Sequence, residues 1–157
     1  MVRPVRAEDR DWIRRFITER WSAEVVAVHG VIYRPHELPG FVAEQAGKPV
    51  GLLTYQLAGD ACEIITLDST RPGMGVGTAL IEAVREAVHA AGCRRLWLST
   101  TNDNLEALRF YQKRGFVLVA VHRNAAEAAR RLKPEISRLG AHGIPIRDEI
   151  ELELLLD

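Results

Sequence analysis

The sequence predicts a mixed α/β fold, with a mostly antiparallel central sheet flanked by helices and one parallel strand pair. Two observations predict it. Short apolar segments bounded by turn residues follow one another between residues 41 and 67. From residue 78 onward, segments with helical spacing alternate with short strands, and glycines or prolines separate the elements. The length of 157 residues fits a single domain, which we expect to span residues 1–157.

The N-terminal region predicts one helix and then an irregular segment. After a short extended start, Asp9 is a plausible N-cap. Apolar residues at helical spacing then carry a helix to about Trp21. Residues 22–39 contain one glycine and two prolines, which break any long element, so no element is assigned there.

A β-meander is predicted next. Strands at residues 41–45 and 50–57 flank an Ala-Gly-Lys-Pro turn and form a hairpin. A Gly-Asp turn leads into a third strand at residues 62–67. A polar, glycine-rich loop over residues 68–77 follows, and a helix over residues 78–91 ends before Gly92. This strand–loop–helix–strand step predicts parallel pairing, whereas the meander before it is antiparallel.

The C-terminal third continues the alternation of helices and strands. Glutamates at 149, 151 and 153 alternate with apolar residues, which predicts one wet and one buried face in the final strand. The predicted elements are a strand at 96–98, a helix capped by Asn102 or Asn104 and ended by Gly115, a strand at 116–121, a helix at 124–132, a loop at 134–145 and a strand at 146–156.

Composition excludes several classes of function. Lys+Arg and Asp+Glu both number 21, so the excess of cation that marks a nucleic-acid-binding surface is absent. Cys62 and Cys93 form no disulfide framework, and no Cys/His spacing matches a metal site. Apolar runs are too short to span a bilayer, and residues 1–9 contain no apolar segment of the kind found in a signal peptide. We therefore expect a cytoplasmic protein without a metal, a nucleic-acid partner or a membrane partner.

The loop before the second helix has the character of an anion site. Gly73, Gly75 and Gly77 permit a tight turn and bring backbone N–H groups close to a ligand. The start of the helix adds unsatisfied N–H groups and the positive end of its dipole. A pyrophosphate suits such a site. The alternative is a glycine-rich connector that binds nothing.

Two other phosphate-binding motifs fit the loop poorly. A P-loop requires Gly-Lys-Ser/Thr, and Thr78 follows Gly77 directly. A dinucleotide-binding fingerprint requires glycine where Leu80 stands and an acidic residue after the next strand, which ends in Ser-Thr-Thr. Three strands also precede this loop, whereas the dinucleotide motif belongs to the first βα turn.

Two segments resemble the motifs of the GCN5-related N-acetyltransferase (GNAT) family. Residues 63–80 resemble its motif A, and residues 104–116 resemble motif B, Asn-x-x-Ala-x-x-Phe-Tyr-x-x-x-Gly-Phe. Both lie in the family's order and spacing, and the element order matches from about residue 2 to 156. The resemblance implies an acyltransferase that moves acetyl from acetyl-CoA to a primary amine of a small molecule or protein by direct attack. A non-catalytic acyl-CoA sensor of the same fold is the alternative.

The resemblance also implies the coenzyme-binding residues. Backbone N–H groups around Leu67 and Ser69 are expected to bind the thioester oxygen or the pantetheine. Asn104 either caps its helix or contacts the coenzyme, and Asn102 is available as the cap. Pro72 departs from the family, which has Gln or Arg at that position. The backbone groups implied for the pyrophosphate are those of Gly73, Met74, Gly75, Val76, Gly77 and Thr78.

Acyl transfer to an amine requires a base and an acid. An amine of pKa ~10.4 is neutral in only about one molecule in a few thousand at pH 7. Glu63 and Asp68 are candidate bases on or beside the motif A strand, and water or another residue is the alternative. We expect Glu63 to be partly buried with a raised pKa. Tyr111 holds the motif B tyrosine position and is suited to protonate the leaving thiolate, although a packed core tyrosine is the competing interpretation.

The acceptor is expected to be selected by residues 21–39 and 130–147, where the family varies most. The absence of a strongly acidic patch argues against a polyamine or an aminoglycoside. The final strand predicts an exposed edge for a homodimer, as in many relatives. Candidate acceptor contacts are an aromatic wall of Trp21, His29, Tyr33 and Tyr55, and the cationic residues Arg130, Arg131 and His142.

Overall fold

The computed structural model describes residues 1–157 and confirms the mixed α/β prediction: the main strand pairs are mostly antiparallel, one pair is parallel, and there are four α-helices. The strands are β1 (Val2–Pro4), β2 (Val26–Val28), β3 (Val31–Tyr33), β4 (Gly40–Gln45), β5 (Lys48–Ala58), β6 (Ala61–Ser69), β7 (Arg95–Thr101), β8 (Val117–His122) and β9 (Glu149–Leu155). The helices are α1 (Arg10–Trp21), α2 (Val76–Ala90), α3 (Leu105–Lys113) and α4 (Ala125–Leu132).

The chain divides into two compact units. The first comprises Met1–Glu24, Arg34–Leu96 and Leu155–Asp157, and the second comprises Val25–Tyr33 and Trp97–Leu154. None of the helices combines the length and the apolar character needed to cross a membrane.

The first unit contains the predicted meander. Its strands run in the order β1-β4-β5-β6, and each neighbouring pair is antiparallel. Helix α2 packs against β4, β5 and β6 through a row of apolar residues at helical spacing. This row is completely or almost completely buried and consists of Leu80, Ile81, Val84 and Val88.

A glycine in β5 allows the start of α2 to lie close to the sheet. A Cβ atom on Gly51 would lie 2.5 Å from Cγ1 of Val76 and 3.2 Å from Cδ1 of Leu80. Both contacts are shorter than packed carbon atoms permit. Glycine at this position therefore lets the first turn of α2 rest directly on β5, which determines where the preceding loop ends.

Strand β6 contains a bulge that the sequence pattern does not reveal. Thr54 of β5 lies opposite Thr66, but Tyr55 lies opposite Ile64, so Ile65 is an additional residue in β6. A bulge bends its strand and interrupts the alternation of faces. The two halves of β6 therefore follow different registers against β5.

The second unit contains most of β7 and β9 and all of β8, in the order β7-β9-β8, together with the separate β2–β3 hairpin. Helix α4 packs against both strands of the hairpin. The hairpin occupies part of residues 22–39, for which the sequence predicts no element. Strand β9 lies between β7 and β8, so the prediction of an exposed edge in the final strand is wrong, and β8 forms the edge.

Two consequences of this strand order differ from the sequence expectation. Glu149 is only 2% exposed, although the alternation in β9 places it on a wet face. The apolar side chains of Val117, Leu118, Val119 and Val121 in β8 are instead exposed. Alternation shows which residues share a face, but the neighbouring strands decide whether that face is covered.

Asp9 occupies the predicted N-cap position of α1, yet its carboxylate makes no hydrogen bond to the helix. The guanidinium of Arg3 donates to both carboxylate oxygens at 2.8 Å, and the backbone N–H of Arg6 donates at 2.7 Å. Arg3 also donates to Glu44 of β4. The carboxylate thus links β1 to the start of α1 instead of capping the helix.

We predict that Asp9→Asn lowers the free energy of unfolding by roughly 1–2 kcal/mol at pH 7, because a charge-assisted, largely buried pair is lost. Hydrogen bonds from Arg3 lower the pKa of Asp9 below its ordinary value of 3.8. The stabilisation is therefore complete above the unfolded-state pKa and is lost as the pH falls through the folded-state pKa.

Urea unfolding of both proteins at pH 7 and near pH 3 measures this effect. The control is Asp11→Asn in the exposed Asp11–Arg14 pair, for which we expect a change below about 0.5 kcal/mol. A deficit of the Asp9 variant that stays constant on acidification would contradict the assignment.

Candidate functional site

The glycine-rich loop joins the end of β6 at Ser69 to the start of α2 at Val76. Gly73 and Gly75 adopt left-handed backbone conformations, with φ values of +78° and +79°. Gly75 is the N-cap residue of α2, so the helix begins two residues earlier than the sequence predicts. Gly77 therefore lies in the first helical turn, and two of the three glycines supply the positive φ values that the loop requires.

Pro72 and Gly73 form the central pair of a tight turn. The N–H of Met74 donates to the carbonyl of Arg71 at 3.3 Å, which closes a four-residue turn. Proline at the second position and glycine with positive φ at the third are typical of a type II turn. The residue that departs from the family pattern therefore restricts the loop to this turn conformation.

The loop and helix start fit an anionic ligand. No side chain caps α2, and its first turn contains no acidic residue. The backbone N–H groups of that turn and the positive end of a 15-residue helix dipole therefore face the loop without a competing negative charge. The N–H of Arg71 is satisfied by the hydroxyl of Ser69 at 2.9 Å, which fixes the loop entrance. A pyrophosphate matches these donors.

The end of β6 directs two of the implied backbone donors away from β5. The N–H of Thr70 donates to the carbonyl of Val50. Hydrogen-bonded and non-hydrogen-bonded pairs alternate along an antiparallel ladder, and the register between Leu53–Leu67 and Gly51–Ser69 is continuous. It follows that the N–H groups of Leu67 and Ser69 are directed away from β5.

Asp68 lies at the same end of β6 and is held by α1. The indole N–H of Trp21 donates to its carboxylate at 3.0 Å. Burial raises the pKa of Asp68, while the Trp21 hydrogen bond and the charge of Arg20 lower it. The result is an oriented carboxylate whose ionisation is made less favourable by its surroundings.

Glu63 lies near the other end of β6, opposite Gln56 of β5. It is 6% exposed, so it is more completely buried than the sequence suggests. The bulge at Ile65 separates Glu63 from Leu67 and Asp68. Glu63 and Asp68 therefore belong to differently aligned halves of one strand.

Tyr111 belongs to the second unit and lies in a packed aromatic group on α3. It is 6% exposed, and its ring packs edge-on against Phe110 and Phe116 at centroid distances of 5.1 and 5.3 Å. These contacts fix the ring plane. They are compatible with a core tyrosine and with an oriented phenol.

Asn104 caps α3, which is one of the two roles that the sequence predicts for it. Its side-chain oxygen accepts from the N–H of Ala107 at 3.2 Å, and its amide donates to the hydroxyl of Thr100 at 3.2 Å. Asn102 does not supply the cap: its oxygen accepts from the N–H groups of Arg147 and Asp148, and its amide donates to the Pro145 carbonyl.

The proposed acceptor contacts fall into separate groups. In the first unit, Trp21 binds Asp68 and Tyr55 stacks on Phe41. In the second unit, His29 and Tyr33 lie together, with ring centroids 5.9 Å apart. Neither unit therefore contains a single continuous wall formed by these four aromatic residues.

Two of the three cationic candidates, Arg130 and His142, have partners within the second unit, and Arg131 is exposed. Arg130 donates to Glu127 and to the carbonyls of Ser137 and Ile146, and His142 lies 2.6 Å from Glu106. Both cysteines are free and buried. The side chains form no group of three or more His, Cys, Asp and Glu residues arranged to hold a metal ion.

Sequence reasoning missed two residues beside His29. Trp97 of β7 lies with its ring centroid 5.7 Å from that of His29, and the carboxylate of Glu149 accepts a hydrogen bond from the backbone N–H of His29. From the sequence alone, Trp97 is an ordinary strand residue, and Glu149 belongs to the solvent-exposed face of the final strand. Neither pattern identifies long-range contacts.

Comparison with known proteins defines the class. The model of the acetyltransferase (GNAT) family matches residues 7–116, and the chain belongs to this family. It is 46% identical over 143 residues to the uncharacterized protein YdhI of Bacillus subtilis (strain 168), covering 90% of this chain and 89% of that protein.

Solved structures share the fold at low sequence identity. An IAA acetyltransferase from Bacillus cereus ATCC 14579 has a TM-score of 0.75 and 21% identity, with 99% of each chain covered. A Bacillus subtilis acetyltransferase in complex with CoA has a TM-score of 0.68 and 18% identity, with both chains covered completely. These similarities confirm the expected fold.

We predict that Gly75→Ala weakens coenzyme binding through the backbone. A Cβ atom at Gly75 would meet nothing within 4 Å, so the cost comes from the positive φ alone and is about 1–2 kcal/mol. If the loop relaxes to relieve this strain, its N–H groups no longer converge on the anion. Calorimetric titration with CoA is expected to show a loss of about tenfold or more.

The matched control is Gly59→Ala in the β5–β6 turn. Gly59 has a φ of +62° and equally open surroundings, so its substitution carries a similar strain outside the loop. The two variants should lose similar thermal stability, and Gly59→Ala should keep its affinity for CoA. Equal affinities of the two variants would exclude the loop as the anion site.

Proposed function

We propose that the protein is an acetyl-CoA-dependent N-acetyltransferase that acetylates a primary amine of a small molecule or protein by direct attack. We further propose that residues 1–157 act as one N-acetyltransferase domain. The observation that carries the proposal is the uncapped start of α2 preceded by two left-handed glycines, an arrangement that suits a pyrophosphate. Family membership and the CoA-bound relative support coenzyme A as the source of that pyrophosphate.

We propose that backbone groups of β6 and of the glycine-rich loop bind the coenzyme, and that the side chain of Asn104 contributes to its binding. Leu67 and Ser69 present N–H groups away from β5, which suits them to the pantetheine or the thioester oxygen. Asn104 keeps one amide hydrogen beyond its two hydrogen bonds, so capping and coenzyme binding are compatible. The pyrophosphate is assigned to the loop groups of Gly73, Met74, Gly75, Val76, Gly77 and Thr78. Acetyl-CoA supplies the activated acetyl group.

Tyr111 is proposed as the general acid. A phenol of pKa ~10 keeps its proton at neutral pH and can give it to a leaving thiolate of pKa ~8.5. The edge-on packing of Phe110 and Phe116 supports this role, because a fixed ring holds its hydroxyl in one direction.

Glu63 and Asp68 are proposed as alternative general bases, acting directly or through water. Asp68 is oriented by Trp21, and burial raises its pKa toward the working range of a base. Glu63 is almost completely buried, which suits a base reached through an ordered water. The contributions of the two residues can be measured separately, since the bulge at Ile65 lies between Glu63 and Asp68.

The first experiment is thermal unfolding with acetyl-CoA, CoA, NAD and ATP. At a hundredfold excess over the dissociation constant, a ligand adds roughly 2.7 kcal/mol of stability, which is several degrees for a domain of this size. We expect a shift with acetyl-CoA and CoA and none with NAD or ATP. A shift with NAD or ATP alone would replace the proposal with a nucleotide-binding function.

Tyr111→Phe is expected to reduce kcat by about 10²-fold or more while the affinity for acetyl-CoA stays within twofold, since only the phenol oxygen is removed.

Parallel kinetics of Glu63→Gln and Asp68→Asn identify the base by the larger loss of kcat. The control Phe110→Leu disturbs ring packing but keeps the phenol. Equal loss of turnover and affinity in Tyr111→Phe would make Tyr111 structural, and coenzyme binding without turnover of any amine would favour the sensor.

We also propose a homodimer formed through β8. This strand lies at the edge of its sheet, where backbone groups are available to a further strand. Val121 is 65% and Leu118 is 55% exposed, so the strand also offers apolar surface. A second copy of β8 is its self-complementary partner, because antiparallel pairing of one strand with its copy is two-fold symmetric.

Light scattering coupled to size-exclusion chromatography tests the dimer. At micromolar concentration the wild-type protein should have twice the 17.6 kDa mass of one chain. Val121→Lys should convert it to a monomer, because charge on an edge strand opposes pairing. Leu139→Lys is the control, since Leu139 is 60% exposed outside β8. A dimeric Val121→Lys variant would place the interface elsewhere.

A further inference from the structure

Glu149 is a buried acid at the first residue of β9. The residue is 2% exposed. One carboxylate oxygen accepts a hydrogen bond from the backbone N–H of His29 at 3.0 Å. Glu149 forms no ion pair with a lysine or an arginine, and the imidazoles of His29 and His122 act to lower the pKa of its carboxyl against the effect of burial. Buried carboxylates are ordinarily matched by a permanent cation, so this one is exceptional.

The ring of His29, whose backbone N–H donates to Glu149, lies together with two other aromatic rings. The His29 ring stands edge-on to Tyr33 and lies at an interplanar angle of 30° to Trp97. The Tyr33 hydroxyl lies 3.4 Å from Nε2 of His29. Aromatic faces attract cations and pack well against flat apolar groups. The second unit thus combines one carboxylate with an aromatic surface.

The β2–β3 turn presents His29 in this position. His29 has a φ of +39° and Gly30 has a φ of +79°, the paired positive values of a two-residue hairpin turn. Asn and Gly are the preferred residues for such turns. Histidine there has an exposed ring at the tip of the hairpin while its N–H donates to Glu149. Turn geometry therefore couples the ring surface to the carboxylate.

We propose that Glu149, with the rings of His29, Tyr33 and Trp97, binds the ammonium end of the acceptor, a primary amine with an aromatic or flat apolar body. This assignment rests on the proposed N-acetyltransferase function. An ammonium group supplies the cation that the chain does not place beside Glu149, and the rings contact the body of the amine.

The surrounding charges favour a monoamine over a polyamine. Glu151 lies 3.0 Å from Nε2 of His122, and Asp148 is bound by Arg147 and by the N–H of Asn124. These neighbouring carboxylates therefore have partners already. Burial raises the pKa of Glu149, and the His29 hydrogen bond together with the two imidazoles lowers it, so an arriving cation further favours the ionised form.

The test compares acetylation of 2-phenylethylamine and spermidine by the wild-type protein and by Glu149→Gln. The variant keeps the oxygen that accepts from His29 and removes the charge. We expect 2-phenylethylamine to be the better substrate, and its KM to rise at least tenfold in Glu149→Gln while the KM for acetyl-CoA is unchanged. The control Glu153→Gln lies on the same strand, four residues along, and should behave as the wild type.

His29→Asn provides a second variant with a low risk of misfolding. Asparagine favours the left-handed turn conformation and retains the backbone N–H, so only the ring surface is lost. Its KM for 2-phenylethylamine should also rise several-fold. Preference for spermidine, or an unchanged KM in both variants, would overturn the assignment.

Direct binding separates this inference from the proposed function. Calorimetry with 2-phenylethylamine on the wild-type protein and on Glu149→Gln requires neither coenzyme nor turnover. Weaker binding by the variant supports the amine site even if acetyl-CoA produces no thermal shift, in which case the N-acetyltransferase proposal fails alone. Equal affinity of the two proteins overturns the amine site, whatever the coenzyme result.

Discussion

The contact between the start of α2 and Gly51 of β5 determines the geometry of the loop that we propose as the pyrophosphate site. Val76 and Leu80 occupy the space that a side chain at position 51 would fill. Packing α2 at this distance fixes the direction in which its first N–H groups point, because the helix axis and its start are both constrained. The left-handed residues Gly73 and Gly75 then connect β6 to a helix start whose place is already determined. A loop remodelled without this contact would lose the convergence of its donors.

Pro72 alters how the loop obtains its rigidity. A Gln or Arg side chain at this position would contribute contacts to a ligand, whereas proline contributes none through its side chain. Proline instead lowers the conformational entropy of the unbound loop by fixing φ at the second position of the turn. With Gly73 at the third position, the turn is formed before a ligand arrives. Preorganised backbone donors reduce the entropy lost on binding, which offsets part of a missing side-chain contact.

Local patterns predicted the elements that depend on local sequence. Helical spacing located α1 and α2 to within two residues, and turn residues located the β4–β5–β6 meander. The short β2–β3 hairpin was not predicted, because three-residue strands contain too few residues to show a period. The bulge at Ile65 was also invisible, since it is a property of the β5–β6 register and not of β6 alone. For the same reason, sequence identified Asp68 as a candidate but not its orientation by Trp21.

One fact of topology explains the largest differences from the sequence expectation. The chain forms β8 before β9, yet β9 lies inside the sheet beside β7, and β8 is left at the edge. An alternating strand read by itself cannot distinguish these places, because both satisfy the same period. Because β9 lies inside the sheet, Glu149 is buried, and because β8 lies at the edge, it exposes valines and a leucine that would otherwise be core residues.

Both features are unfavourable for an isolated, unliganded chain, since one desolvates a carboxylate and the other leaves apolar surface in water. Burial of a carboxylate is relieved by a cation, and burial of an apolar edge is relieved by a partner strand. The two costs are therefore relieved by the two partners that we propose, an amine at β9 and a second copy of the chain at β8, although a single strand order produces both.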